Sequence, residues 1–213
     1  MTEPLRLPRV YPITDTHLSG LSHPEQVRLL SLGGAELIQL REKQMPPMDF
    51  YEEAKAAVEE AAERGVRLIL NDQPSMVRVA RASGLHIGQD KMPFSGFRTL
   101  LGPGAIIGLS THNVDQAREA LNMSIDYISI GPIFETSTKP DAEPVVGLEG
   151  LRAVREAIGS FPLVAIGGIT QSNASEVIAA GADCVAVISA LLSKPERITE
   201  ATQNLIKSLP PSS

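Results

Sequence analysis

Short apolar runs alternate with longer amphipathic stretches along the whole chain. The runs are VYPIT (10–14), ELIQL (36–40), RLILN (67–71), LHIG (85–88), IIGLS (106–110), DYISI (126–130), LVAIG (163–167) and CVAVI (184–188). Most are rich in valine and isoleucine and too short for helices. Their near-continuous apolar character predicts parallel strands covered on both faces. Between them the apolar spacing becomes helical. SHPEQVRLLSLGG opens with Ser22 as N-cap, Pro24 in the first turn and Glu25 three residues after Ser22. DFYEEAKAAVEEAAERG places Asp49 as a cap and Gly65 as a stop. NVDQAREALN, GLEGLRAVREAIG, SNASEVIAAG and KPERITEATQNLIKSL follow the same logic, and two shorter units surround PSMVRVARA and FSGFRTLL.

A weak internal repeat runs through the strands. GGAELIQL, ASGLHIG, MSIDYISIG and AGADCVAVI each put a small or polar residue before an apolar run. Such recurrence is expected where every unit makes the same helix-to-strand turn. Eight βα units in 213 residues predict an α/β chain folded as a single (β/α)8 TIM barrel over 1–213, with its core at about 9–209. An open doubly wound sheet is the alternative, but no reversal of strand order is signalled.

Composition narrows the classes. Hydrophobic residues make up 43% of the chain, enough for a sizeable core. A net charge of −6 argues against a nucleic-acid footprint. Cys184 is the only cysteine, so no internal disulfide forms, and its place in CVAVI reads as a small buried thiol. No stretch approaches the roughly 18 apolar residues of a membrane helix, and the N-terminus has no apolar targeting segment. A cytoplasmic protein with no membrane partner is expected.

In such a barrel the chemistry sits at the C-terminal ends of the strands. Gln39, Arg41 and Lys43 follow strand two and alternate to one side of an extended segment. They read either as an anion grip at the barrel mouth or as a solvated strand end paired with Glu42. Asn71 and Asp72 follow strand three; Asp72 reads as a Mg2+ ligand or as the N-cap of the next helix. His86 lies within strand four and reads as a core-lining histidine rather than a metal ligand. Ser110 and His112 follow strand five, and His112 could serve as acid or base or could orient the loop. GPIFETSTK follows strand six, with Thr136 and Thr138 as hydroxyl donors and Lys139 as a point charge. Gly167, Gly168, Ile188 and Ser189 follow strands seven and eight, where barrels build phosphate sites from backbone amides and a helix N-terminus.

QLREK, ND, GLHIGQ, STH, GPIFETSTK, IGGIT and VISA, in this order and spacing, resemble the thiamine-phosphate synthase family, which includes the related thiazole tautomerase. The resemblance spans residues 10–192. It implies a Mg2+-dependent transferase that joins hydroxymethylpyrimidine pyrophosphate to thiazole phosphate, releasing pyrophosphate by dissociative displacement. It implies that Gln39 holds the aminopyrimidine edge, and that Arg41, Lys43, Asn71, Ser110 and Lys139 grip the pyrophosphate. Asp72 would bind Mg2+. Thr136 and Thr138 would contact the thiazole substrate, with Gly168, Ile188 and Ser189 on its phosphate. The resemblance leans toward a homodimer. One departure stands out: the family carries Gln-x-Asp after strand four, whereas Gln89-Asp90-Lys91 puts lysine in the acid's place. Either Asp90 serves as the second metal ligand or the Lys91 ammonium replaces part of the metal's charge. The alternatives to a synthase are the tautomerase, with His112 at its catalytic position, and a barrel that binds thiazole or thiamine phosphate without turnover.

Overall fold

The computed structural model of the chain describes residues 5–89, 96–136, 138 and 143–211. Strand β1 (Val10–Pro12) leads through α1 (Thr16–Ser19) and α2 (His23–Leu32) to β2 (Leu37–Leu40) and α3 (Pro47–Glu63). β3 (Arg67–Asn71), α4 (Pro74–Ala80), β4 (Gly84–Ile87), α5 (Phe97–Leu101), β5 (Ile106–Thr111) and α6 (Val114–Ala120) follow. β6 (Tyr127–Ile130), α7 (Gly147–Ile158), β7 (Leu163–Ile166), α8 (Ala174–Ala179), β8 (Cys184–Val187), α9 (Ser189–Leu192) and α10 (Ile198–Ser208) complete the series. All eight predicted strands form, each within about a residue or two of the apolar run that predicts it. Ser22 caps α2 as expected, accepting from the Glu25 amide. Asp49 does not cap α3. The helix starts earlier, at Pro47, whose fixed φ suits a first helical position, and Asp49 lies in the first turn.

The strands form one parallel sheet in the order β1-β8-β7-β6-β5-β4-β3-β2. The seam between β1 and β2 closes through a bridge of Ile13 with Gln39, where the Thr14 amide donates to the Gln39 carbonyl at 2.8 Å. Period-2 alternation divides the buried residues between two cores. Leu37, Ile69, Val164 and Cys184 join Tyr11 and Tyr127 inside the barrel. Ile38, Leu68, Leu70, Leu85 and Leu163 point outward under the helices. Cys184 is buried, as its setting predicts.

The repeat seen in the sequence has a structural cause. Ser83, Asp126 and Asp183 each stand just before an even-numbered strand. Each accepts from the first amides of the preceding strand: Ser83 Oγ from Leu68 at 3.2 Å, Asp126 Oδ2 from Ile107 at 2.7 Å, Asp183 Oδ2 from Leu163 at 2.8 Å. The two aspartates also hold Arg98 and Arg155, each at 2.6 Å. This device pins the lower rim and leaves the upper rim to the chemistry.

Candidate active site

The upper ends of the strands surround an open cavity of about 820 Å3. Gln39, Arg41, Lys43, Asn71, Asp72, Ser110, Thr136, Thr138, Gly168, Ile188 and Ser189 all line it. Lys139 and Asp90, together with Lys91, lie outside the described residues.

The β2 end does not continue as an extended segment beyond Leu40. Glu42 curls it instead. Its Oε1 accepts from the amides of Lys43, Gln44 and Met45, and its Oε2 lies 3.3 Å from His23 Nε2. Glu42 therefore organises the loop rather than pairing with Arg41. Arg41 is held by Asp15, with Nη1 3.7 Å from Oδ2, and its backbone amide donates to Thr14 Oγ1 at 3.3 Å. Burial would raise the Glu42 carboxyl; the three amides and His23 outweigh it and hold the group down at about 2. The charge that shapes the loop persists at neutral pH.

Asp72 takes a left-handed backbone, φ 56°, which asparagine and aspartate tolerate better than other side chains. The Asn71 amide donates to its Oδ2 at 2.9 Å and the Gly88 amide to its Oδ1 at 3.3 Å. It does not cap α4, which begins after Gln73 and has no side-chain cap. A non-glycine residue held at positive φ over a cavity is the kind of strain that clusters at functional sites. As to Mg2+, no group of three or more His, Cys, Asp and Glu side chains converges among the described residues. One carboxylate beside amide oxygens nevertheless suits a hard cation that completes its shell with water and substrate phosphate.

Across the cavity, Gly167 and Gly168 follow β7 at φ 103° and 63°. A Cβ on Gly168 would meet the Glu135 carbonyl oxygen at 2.5 Å, and one on Gly167 would meet Pro132 Cβ at 2.5 Å. Both residues must be glycine for the β7 loop to fold against the β6 loop. Ile188 and Ser189, which line the same cavity, then open the short helix α9.

The floor between these halves is polar and buried. His86 Nδ1 lies 2.8 Å from Tyr127 Oη, and Nε2 lies 2.9 Å from Ser110 Oγ. Its ring stacks on Tyr127 with centroids 5.5 Å apart. Burial lowers His86 to about 4, so the ring is neutral. His86 therefore lines the core, as the sequence suggests. His112 is fixed by a bond of 2.6 Å from Nδ1 to the Gly131 carbonyl. A carbonyl only accepts, so the proton sits on Nδ1 and Nε2 is the acceptor of the neutral ring. The sequence gives no role to Tyr11, Asp15, Gln89 or Tyr127. Asp15 follows β1 and falls under the same strand-end rule used for the other strands. The two tyrosines lie inside apolar runs and carry no separate signal.

A family model described as thiamine monophosphate synthase matches residues 10–191. The chain is 42% identical over 198 residues to the thiamine-phosphate synthase of Chloroflexus aurantiacus, covering 92% of this chain and 90% of that one. It is 45% identical over 197 residues to that of Methanocella arvoryzae, covering 92% of each. Among solved structures, the thiamine phosphate pyrophosphorylase from Pyrococcus furiosus superposes with a TM-score of 0.85 at 36% identity, covering 94% of each chain.

Proposed function

The chain belongs to the thiamine monophosphate synthase family and is a transferase of that kind, and from that premise we propose how its cavity performs the reaction. The substrates are hydroxymethylpyrimidine pyrophosphate and thiazole phosphate. The observation that carries the reading is the division of one cavity into a cation-bearing half and a glycine-and-helix half. Arg41, Lys43, Asn71 and Ser110 suit the pyrophosphate, and family likeness alone adds Lys139 to them. Gly168, Ile188 and Ser189 suit the thiazole phosphate, in the place where barrels commonly hold a phosphate. Gln39 meets the aminopyrimidine edge, and Thr136 and Thr138 meet the thiazole substrate.

The C–O bond of the pyrimidine methylene breaks and its electron pair leaves on the pyrophosphate. The aminopyrimidine spreads the positive charge left on the methylene. The thiazole nitrogen then donates its lone pair to that carbon, forming the C–N bond. Fixed donors placed where charge develops lower this barrier without reorganising. Asp72 would hold Mg2+, with Asp90 or the Lys91 ammonium completing the charge balance; the ion supplies neutralisation of the pyrophosphate oxygens. No proton transfer is needed in the bond-forming step, which agrees with a neutral His86 at the floor.

Among the described residues, no helix is long and apolar enough to cross a membrane. The cytoplasmic setting expected from the sequence belongs to the same proposal, as does a homodimer, which rests on family likeness. The test mixes purified protein with both substrates and Mg2+ and follows thiamine phosphate by chromatography. Product that requires both substrates is expected. Absence of product, or isomerisation of the thiazole phosphate alone, would overturn the reading.

A further inference from the structure

A single run of hydrogen bonds crosses the barrel interior and joins the two cavity side chains Gln39 and Ser110. Gln39 Nε2 donates to Tyr11 Oη at 3.1 Å. Tyr11 Oη lies 3.1 Å from Tyr127 Oη, which lies 2.8 Å from His86 Nδ1. His86 Nε2 lies 2.9 Å from Ser110 Oγ, and Ser129 Oγ donates to the same oxygen at 3.5 Å. Tyr11 and Tyr127 are 1% and 0% exposed, so water does not complete these bonds. Gly108 makes the path: a Cβ there would overlap the Tyr127 ring.

The run has one direction. An amide nitrogen can only donate, so the Tyr11 oxygen receives from Gln39. The Tyr11 proton then goes to Tyr127, and the Tyr127 proton goes to His86 Nδ1. A neutral imidazole that accepts at Nδ1 carries its proton on Nε2 and donates to Ser110. The Ser110 oxygen thus accepts from His86 and Ser129, and its own proton turns to the cavity that it lines. The opposite direction would strand the Tyr11 proton in the core without an acceptor, at the full desolvation cost of that hydroxyl.

We propose that Tyr11, Tyr127 and His86 are positioning residues that fix the Ser110 hydroxyl as a donor to the departing pyrophosphate. This rests on the reading of Ser110 as a pyrophosphate ligand. Two measurements on the full chain separate the one from the other. Nitrogen-15 NMR of the substrate-free protein should find the His86 proton on Nε2; a proton on Nδ1 reverses the run and overturns the proposal. Kinetics give the second measurement through a double-mutant cycle. Tyr127→Phe should lower kcat/KM about tenfold, and Ser110→Ala should cost clearly less in that background than in the wild type. Strictly additive losses would refute the coupling. Ser110→Ala with unchanged turnover would remove the ligand reading and the proposal with it, whatever the tautomer. Should Tyr127→Phe not fold, Tyr11→Phe enters the same cycle, and the wild-type tautomer decides by itself.

Discussion

Glu42 joins a buried histidine to the backbone of the loop that carries Arg41 and Lys43 into the cavity. Its Oε2 lies 3.3 Å from Nε2 of His23, a residue with no exposed surface, and its Oε1 collects the Lys43 and Gln44 amides at 2.7 Å each. His23 is itself tied by Nδ1 to Thr14 Oγ1 at 2.8 Å, and the same hydroxyl receives the Arg41 amide. The sequence motif Arg-Glu-Lys is therefore two cavity-lining cations around a staple. Glu42→Ala should loosen Arg41 and Lys43 together and raise KM for the pyrimidine pyrophosphate by about tenfold, with a smaller effect on kcat. Glu42→Gln keeps an acceptor for the amides and should lose much less. Equal effects of the two variants would contradict the staple.

The same groups set the acid side of the stability profile. Glu42 is held at about 2 against an ordinary value of 4.5, so the stability it contributes is complete above pH 4.5 and is lost as pH falls toward 2. Burial lowers His86 from 6.5 to about 4 and lowers His23 as well. A lowered histidine contributes stability that is complete above pH 6.5 and disappears as pH falls toward its folded value. Urea unfolding followed against pH should show a decline beginning near pH 6.5. His86→Asn should flatten the upper part of that decline and Glu42→Gln the part below pH 4.5. A wild-type curve that is level from pH 6.5 to 4 would show that neither histidine is held neutral.

Much of the barrel was legible because each strand repeats one physical problem. Leu68, Leu70 and Leu85 read as strand core from their neighbours alone, and the strand-end rule by itself points to Asp72 and Ser110. Other features depend on partners far away in the chain. Nothing local distinguishes Tyr127 from an apolar core residue; its hydroxyl matters only because Tyr11 and His86 meet it from other strands. The Arg41–Asp15 pair joins two strand ends, and the turn enforced by Glu42 needs His23 from a helix. Asp49 was misplaced as a cap because two prolines fix the start of α3 more strongly than a side-chain acceptor does.

Gly168 separates the two substrate halves experimentally. Its φ of 63° and the 2.5 Å approach to the Glu135 carbonyl oxygen leave no room for a methyl group without moving the β6 or β7 loop. Gly168→Ala should raise KM for thiazole phosphate by at least about tenfold while KM for the pyrimidine pyrophosphate changes little, because the cation-bearing loops lie on other strands. Steady-state kinetics with each substrate varied in turn checks this. A parallel rise in both constants would mean that the two halves are not independent.

Asp72 is the point at which the proposed need for Mg2+ can be tested without breaking the fold. Asparagine tolerates the left-handed backbone that the position demands, and its amide oxygen can still accept a bond from Gly88 or Asn71. Asp72→Asn should therefore keep thermal stability close to wild type while the Mg2+ concentration giving half-maximal turnover rises by about tenfold or more, since a neutral oxygen is a poorer ligand for a hard cation. Turnover titrated with Mg2+ after EDTA treatment measures the shift directly. The lysine in the place of the family's second acid sharpens the experiment. If the Lys91 ammonium stands in for metal charge, Lys91→Asp should make turnover more dependent on Mg2+, and Lys91→Ala should slow it at every Mg2+ concentration. If Asp90 is the ligand instead, Asp90→Ala should reproduce the Asp72→Asn shift and Lys91→Ala should have little effect. Wild-type turnover that survives EDTA unchanged would exclude Asp90 as a ligand and leave Asp72 with a backbone role only, and a fully active Lys91→Ala under the same conditions would exclude the ammonium as a substitute for the metal.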